Sequence, residues 1–262
     1  MSSLLWGAAL HKAFPSQENR YRPSGIAKCA RQQAALVNGI EPSDASYEWI
    51  WQAELGRAGQ EIALKAFPFL GFEVKQTVPV DGPLPGEMDA IIEVLPTNIF
   101  GIEPGPALCD VKLRNTFAYN HVLQGYDLLS EDKEMATQMN TYMGQAGLNR
   151  CLILLFPFDT SACRNDQRFM KKEMVRHNYR IRVLAIDFLP SLYTLTLDRH
   201  NILKEHGLAV APEFNPNDGK FPCVYTDGGC PVRTWCQLSG PGGIEVPAIP
   251  DYGMRIIEYE VA

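Results

Sequence analysis

Two apolar runs near the middle of the chain carry acids among their aliphatic residues. GEMDAII (86–92) holds Asp89, and ALCDVKLR (107–114) holds Asp110 and Lys112. Side chains alternate faces along a strand, so Asp110 and Lys112 are expected on one face while Cys109, Val111 and Leu113 point the other way, into a core. If the two runs are neighbouring strands, the carboxylates converge. Carboxylate oxygens suit hard divalent cations, and a lysine beside them can orient a water or offset charge on a phosphate. The chemistry that these types and spacings fit is metal-dependent hydrolysis of a phosphodiester.

The acid-x-Lys triplet alone carries no weight. With 30 acidic residues and ten lysines in 262 positions it is expected about once by chance, and it occurs four times. Glu73-Val-Lys75 lies in a strand-like run, Glu131-Asp-Lys133 reads as solvated, and Asp218-Gly-Lys220 reads as a turn. Asp110 stands apart because its run is flanked by apolar residues, follows a run whose acid comes after the Pro85-Gly86 turn, and precedes a Gln138-x-x-x-Tyr142 pair at helical spacing. The plainer reading is a pair of surface aspartates on edge strands.

The elements that must position these residues are legible in outline. GIAKCARQQAALVN (25–38) reads as a helix carrying Cys29, with Ser24 as N-cap and Gly39 as stop. A second helix is predicted from Asp44 to Phe67. Residues 72–80, 86–95 and 107–114 read as three strands joined by Gly/Pro turns. A helix at 135–148, a buried strand at 151–158, a strand at 180–187, a helix at 190–206 behind which stands Gly207, a cysteine-bearing coil and a final strand near MRIIEYEV complete the order. The expected class is α/β, a mixed central sheet flanked by helices.

The chain is 46% hydrophobic, enough for one sizeable core, and is expected to be a single domain over 1–262, with a catalytic core at 44–210. No run of 18 apolar residues occurs, and the N-terminus lacks the basic and small-residue signals of a leader, so a soluble, cytoplasmic protein with no membrane association is expected. The net charge of −6 argues against a surface that coats nucleic acid broadly. It is unevenly spread, however. Residues 168–182 hold Arg168, Lys171, Lys172, Arg176, Arg180 and Arg182 against one acid, Glu173, with Phe169 and Tyr179 between them. Such a segment can track a phosphate backbone and stack bases; a solvated amphipathic face explains it equally well.

Seven cysteines in a chain with no export signal read as thiols or metal ligands. Cys109 and Cys151 sit in apolar runs as small buried hydrophobes, and Cys163 lies in a polar loop. Cys223, Cys230 and Cys236 crowd into a Pro/Gly-rich stretch and, with Cys29 far upstream, make a candidate four-thiolate site. Residues 22–40 and 215–240 would form that subdomain.

With Glu61, Asp89, Asp110-x-Lys112 and Gln138-x-x-x-Tyr142 in order, the chain resembles the PD-(D/E)XK nucleases of the RecB type. RPSGIAKCARQQ and the late cysteines make it look like the iron-sulfur exonucleases of CRISPR adaptation modules and their phage-encoded relatives, which share their cluster arrangement with the AddB nuclease domain. The resemblance covers residues 22–236. It implies a restriction-endonuclease-like core in which Asp89, Asp110 and the Val111 carbonyl ligate Mg²⁺ or Mn²⁺, Lys112 activates water, Glu61 completes the acidic site, and Gln138 and Tyr142 hold the substrate. A buried tyrosine bonded to a glutamine is the plainer account of that last pair.

The resemblance further implies a [4Fe-4S] cluster on Cys29, Cys223, Cys230 and Cys236, clasping the N- and C-terminal segments; structural Zn²⁺ on the same thiolates is the alternative. DNA, single-stranded or with free ends, is the implied substrate, contacted by Arg114, Lys171, Lys172 and Arg176, with a recombination or CRISPR integration protein as a candidate partner. Two positions depart from the family pattern: Gln60 stands where the motif carries His or Glu, and the first cysteine interval is six residues rather than two. The competing readings are a catalytically weak DNA-end binder and a restriction-type endonuclease.

Overall fold

The computed structural model describes residues 20–40, 48–70, 72–94, 105–114, 133–157, 182–217, 223, 230–250 and 257–260. Its elements run α1 (Ala30–Val37), α2 (Glu48–Ala66), β1 (Glu73–Val80), β2 (Gly86–Val94), β3 (Ala107–Arg114), α3 (Lys133–Ala146), β4 (Arg150–Pro157), β5 (Arg182–Asp187), α4 (Pro190–His206), α5 (Arg233–Leu238) and β6 (Ile257–Glu260). The strands form one six-stranded sheet in sequence order. Only β3 and β4 run parallel; every other neighbouring pair is antiparallel. The α/β class and the mixed sheet flanked by helices are as the sequence predicts.

Both faces of the sheet are covered. On one, Met135, Met139, Tyr142 and Met143 of α3 and Leu192 of α4 pack on Leu108, Ile153 and Leu155. On the other, Ala63, Leu64 and the following Phe67 pack on Cys109, Val111, Leu152 and Leu154. This two-sided burial explains why β4 reads as an unbroken apolar run: Cys151, Leu152, Ile153 and Leu155 are fully buried. It also corrects the expectation that one face of β3 packs while the other is left to chemistry. Asp110 lies on the α3 side and is buried along with its neighbours.

The close fit of α2 to the sheet depends on a glycine. A Cβ on Gly59 would lie 2.3 Å from Leu113 Cδ2 of β3. A third cluster, built from Tyr21, Ile26, Ala30, Ala34, Leu84, Leu203, Val210 and Val246, joins α1 to the end of α4 and to the C-terminal segment.

One boundary and one element differ from expectation. Helix α1 starts at Ala30 rather than Gly25, with Cys29 as its N-cap residue and no side-chain cap. Residues 22–28 are turns instead, because the Ile26 and Lys28 carbonyls are taken by the buried Arg199 guanidinium at 2.7 and 2.6 Å. Glu213 supplies the missing cap by accepting the Ala30 N–H. The stop at Gly39 holds, with φ of 80°. The cysteine-bearing coil contains a short helix, α5, that the sequence reading left as coil.

Candidate active site

The chemistry-bearing residues meet where the sheet forks. Strands β2 and β3 pair only over Ala90↔Cys109, Ile91↔Leu108 and Ile92↔Ala107. Beyond Cys109 the ladder ends, so backbone groups of β3 on that edge need other partners. Asp89 Oδ2 accepts the Val111 N–H at 2.8 Å, doing with a side chain what a strand partner would do with a carbonyl. A residue's N–H and C=O serve the same edge of a strand, so the Val111 carbonyl opens to the fork as well.

A distortion aims Asp89 into this space. In β1, Thr77 has φ of 51°, left-handed backbone that a β-branched residue rarely adopts. The pairs Gln76↔Ala90 and Val78↔Met88 leave Thr77 and Asp89 facing each other across the ladder. On the two sides of this point the strands change faces: Val78, Val80 and Met88 belong to the α3-side core, whereas Val74, Ala90 and Ile92 belong to the α2-side core. Kinks of this kind re-aim a side chain, and strained backbone collects at working sites. No sequence signal marked Thr77.

Asp110 is 4% exposed. Lys112, half-buried, forms an ion pair with it, with Nζ 3.2 Å from Oδ1 and 2.9 Å from Oδ2. The shorter contact lacks hydrogen-bond geometry, and Asp110 Oδ2 is buried with no hydrogen-bond partner other than this ion pair among the described residues. Two carboxylates thus share a poorly solvated fork. Burial, and then the negative charge of Asp110, push the Asp89 carboxyl up to about 7, against the opposing pull of the Val111 N–H and of Lys112. A buried carboxylate beside a second acid, raised by burial and then by like charge, is a donor set that fits a hard divalent cation.

Helix α3 closes the α3-side wall. Tyr142 is buried, bonded to the Gln138 side chain and the Glu87 backbone N–H, and close enough to Asp110 and Lys112 to feel both; burial raises its phenol. The plainer account of the Gln-Tyr pair, a buried tyrosine bonded to a glutamine, is what the structure shows, and it places the phenol near Asp110 and Lys112. Gly86 makes room for it, because a Cβ there would lie 2.7 Å from the Tyr142 hydroxyl. Gln145, which the sequence reading passed over, holds the β1–β2 turn against the same helix by bonding both backbone groups of Leu84, at 3.1 and 3.0 Å.

Glu61 is not brought to the pair. It is exposed on α2, one position off the line of buried residues Ala63, Leu64 and Phe67, whereas half-buried Gln60 stands one turn before Leu64. Helix α2 also covers the face opposite Asp110. Among the described residues no set of three or more His, Cys, Asp or Glu is arranged to hold a metal ion. The rival triplet Glu73-Val-Lys75 is exposed on β1. Arg114 ends β3, with its side chain outside the described residues, as are Lys171, Lys172 and Arg176.

The four cysteines implied as ligands do meet. Cys29, Cys223, Cys230 and Cys236 line one cavity, walled also by Pro212, Phe214 and Arg233. None of the four is in a disulfide, and the Cys230 N–H donates to the Cys223 carbonyl at 3.3 Å. Burial pushes the Cys236 thiol up, Arg31 pulls it down, and Cys29 and Cys230 push it up again. The side chains are neighbours rather than a finished coordination shell. Four thiols from two distant segments around one cavity are, in donor chemistry, what a thiolate-bound metal group takes. Cys109 and Cys151, by contrast, are fully buried in the sheet, with thiols raised by burial, as the sequence predicts for inert hydrophobes.

No family model and no curated protein matches the chain. Among solved structures, the crystal structure of SSO0001 aligns over 89% of this chain and 93% of its own, at 14% identity and a TM-score of 0.46. An alkaline exonuclease (LHK-Exo) from Laribacter hongkongensis aligns over 76% and 91%, at 13% identity and a TM-score of 0.43. Its complex with dAMP aligns over 74% and 87%, at 15% identity and 0.41. These are distant likenesses of shape, and the functional reading rests on the fork's own residues.

Proposed function

We propose that the chain is a divalent-metal-dependent deoxyribonuclease of the PD-(D/E)XK kind that degrades DNA from a free end. The observation that carries this reading is Asp110, buried beside Asp89 at the β2–β3 fork and held in an ion pair with Lys112. Asp89, Asp110 and the Val111 carbonyl would hold Mg²⁺ or Mn²⁺. When bound, such an ion lowers the pKa of its water and offsets charge on the scissile phosphate.

The protein's own part is positioning. Asp110 fixes the Lys112 ammonium at the fork, where it orients the water and meets phosphate charge. Gln138 and Tyr142 hold the substrate at the α3 wall, and Arg114, Lys171, Lys172 and Arg176 follow the DNA backbone away from it. Cys29, Cys223, Cys230 and Cys236 bind a [4Fe-4S] cluster, with Zn²⁺ as the alternative, and clasp the terminal segments. A purely end-binding role in a recombination or integration complex is disfavoured, because a binder gains nothing from gathering carboxylates beside a phosphate.

The test is a time course on end-labelled linear and on circular single-stranded DNA with Mg²⁺ or Mn²⁺. Loss of the linear substrate alone is expected. Cutting of the circle would make the protein an endonuclease, and binding to ends without cleavage would make it the end binder.

A further inference from the structure

Arg31 stands two residues after Cys29 in the first turn of α1 and is 2% exposed. Its guanidinium lies over Trp235, 5.2 Å from the ring centroid, and Trp235 immediately precedes Cys236. Nη2 donates to the Ser239 carbonyl at 3.3 Å. The remaining donors, Nε and Nη1, are buried without a hydrogen-bond partner among the described residues. Gly242 presses against the same group, since a Cβ there would lie 2.8 Å from Nη1. A guanidinium stays ionised, so a buried one with idle donors is costly unless negative charge stands near it. Arg31 is tied to two walls of the cysteine cavity, by Cys29 two residues before it and by Trp235 next to Cys236, and thiolates around a divalent ion or an iron-sulfur core there would leave a net negative charge that must itself be buried.

Resting on the reading above that the four cysteines hold a metal group, we propose that Arg31 is the counter-charge of that site, a positioning residue that retains the thiolate-bound group by neutralising part of its charge.

The test uses the full chain, purified without oxygen together with its metal, as wild type, Arg31→Gln and Arg31→Lys. The readouts are the rate at which metal passes to excess chelator and, where the metal is iron, the reduction potential. Arg31→Gln is expected to release metal roughly tenfold or more faster, the scale seen when groups supporting metal ligands are removed, and to shift the potential to more negative values. Arg31→Lys keeps the charge and should stay near wild type on both. Release from Arg31→Gln at the wild-type rate overturns the proposal, as does equal release from Gln and Lys variants, which would make the stack on Trp235 the essential feature. Should Arg31→Gln fail to fold, fast release from Arg31→Lys alone overturns it. Wild-type protein that carries no metal removes the metal site itself, whereas loaded wild type with an indifferent Arg31→Gln removes only the role of Arg31.

Discussion

At the scale of single residues, the fork stores a conflict that a bound divalent ion would resolve. A carboxyl raised from its ordinary 3.8 to about 7 binds its proton more tightly in the folded chain than in the unfolded one. Its contribution to stability is therefore full below about pH 4 and is lost as pH rises through about 7, by a few kcal/mol at most. Asp89→Asn removes this equilibrium. Thermal melts without divalent ions should show the variant more stable than wild type at pH 8 and little different at about pH 4, and added Mg²⁺ should stabilise wild type, more at pH 8 than at pH 6, but not the variant. A variant less stable than wild type at pH 8 would show that Asp89 contributes more through its bond to Val111 than it costs by repulsion.

At the scale of elements, the site follows from how strands and helices meet, and this divides what the sequence discloses from what it hides. Period-two alternation and unbroken apolar runs disclosed β1 to β4 to within a residue or two, because burial on two faces writes itself into composition. The rotation of α2 was not legible: Gln60 and Glu61 are adjacent, and only Gly59 against Leu113 decides which flank faces the sheet. Gln60→Ala should accordingly lose more cleavage than Glu61→Ala, measured as initial rates with Mn²⁺; the reverse order would restore Glu61 to the metal. Thr77 was invisible for another reason, since its strain is imposed by pairing and not by local preference. Thr77→Gly should relieve about 1 kcal/mol, raising the melting temperature, while cleavage falls severalfold as Asp89 loses its aim. A lower melting temperature would mean that Thr77 carries no strain.

At the scale of the whole molecule, one buried arginine gathers distant segments. Arg199 of α4 is fully buried, donates to the carbonyls of Ile26, Lys28 and Pro247, and pairs with Glu213, which caps α1 next to Cys29. Lys28 in turn pairs with Glu134 of α3 at 3.6 Å, on the helix that carries Gln138 and Tyr142. Arg199→Leu should destabilise the protein by about 3 to 5 kcal/mol, because it leaves Glu213 buried and unpaired, and denaturant midpoints would measure it. A loss below about 1 kcal/mol would show the clamp to be incidental. The cysteines that this clamp supports were legible as a set, whereas the clamp was not: an arginine on a helix and three backbone carbonyls share no motif. The account as a whole stands on the fork, and titration of Mn²⁺ into wild type, Asp89→Asn and Asp110→Asn, with cleavage of linear single-stranded DNA followed on the same samples, tests it most directly. Wild type should bind Mn²⁺ and cut, and each variant should lose binding by about tenfold or more and cleavage by about a hundredfold or more. Variants that bind and cut like wild type would contradict it.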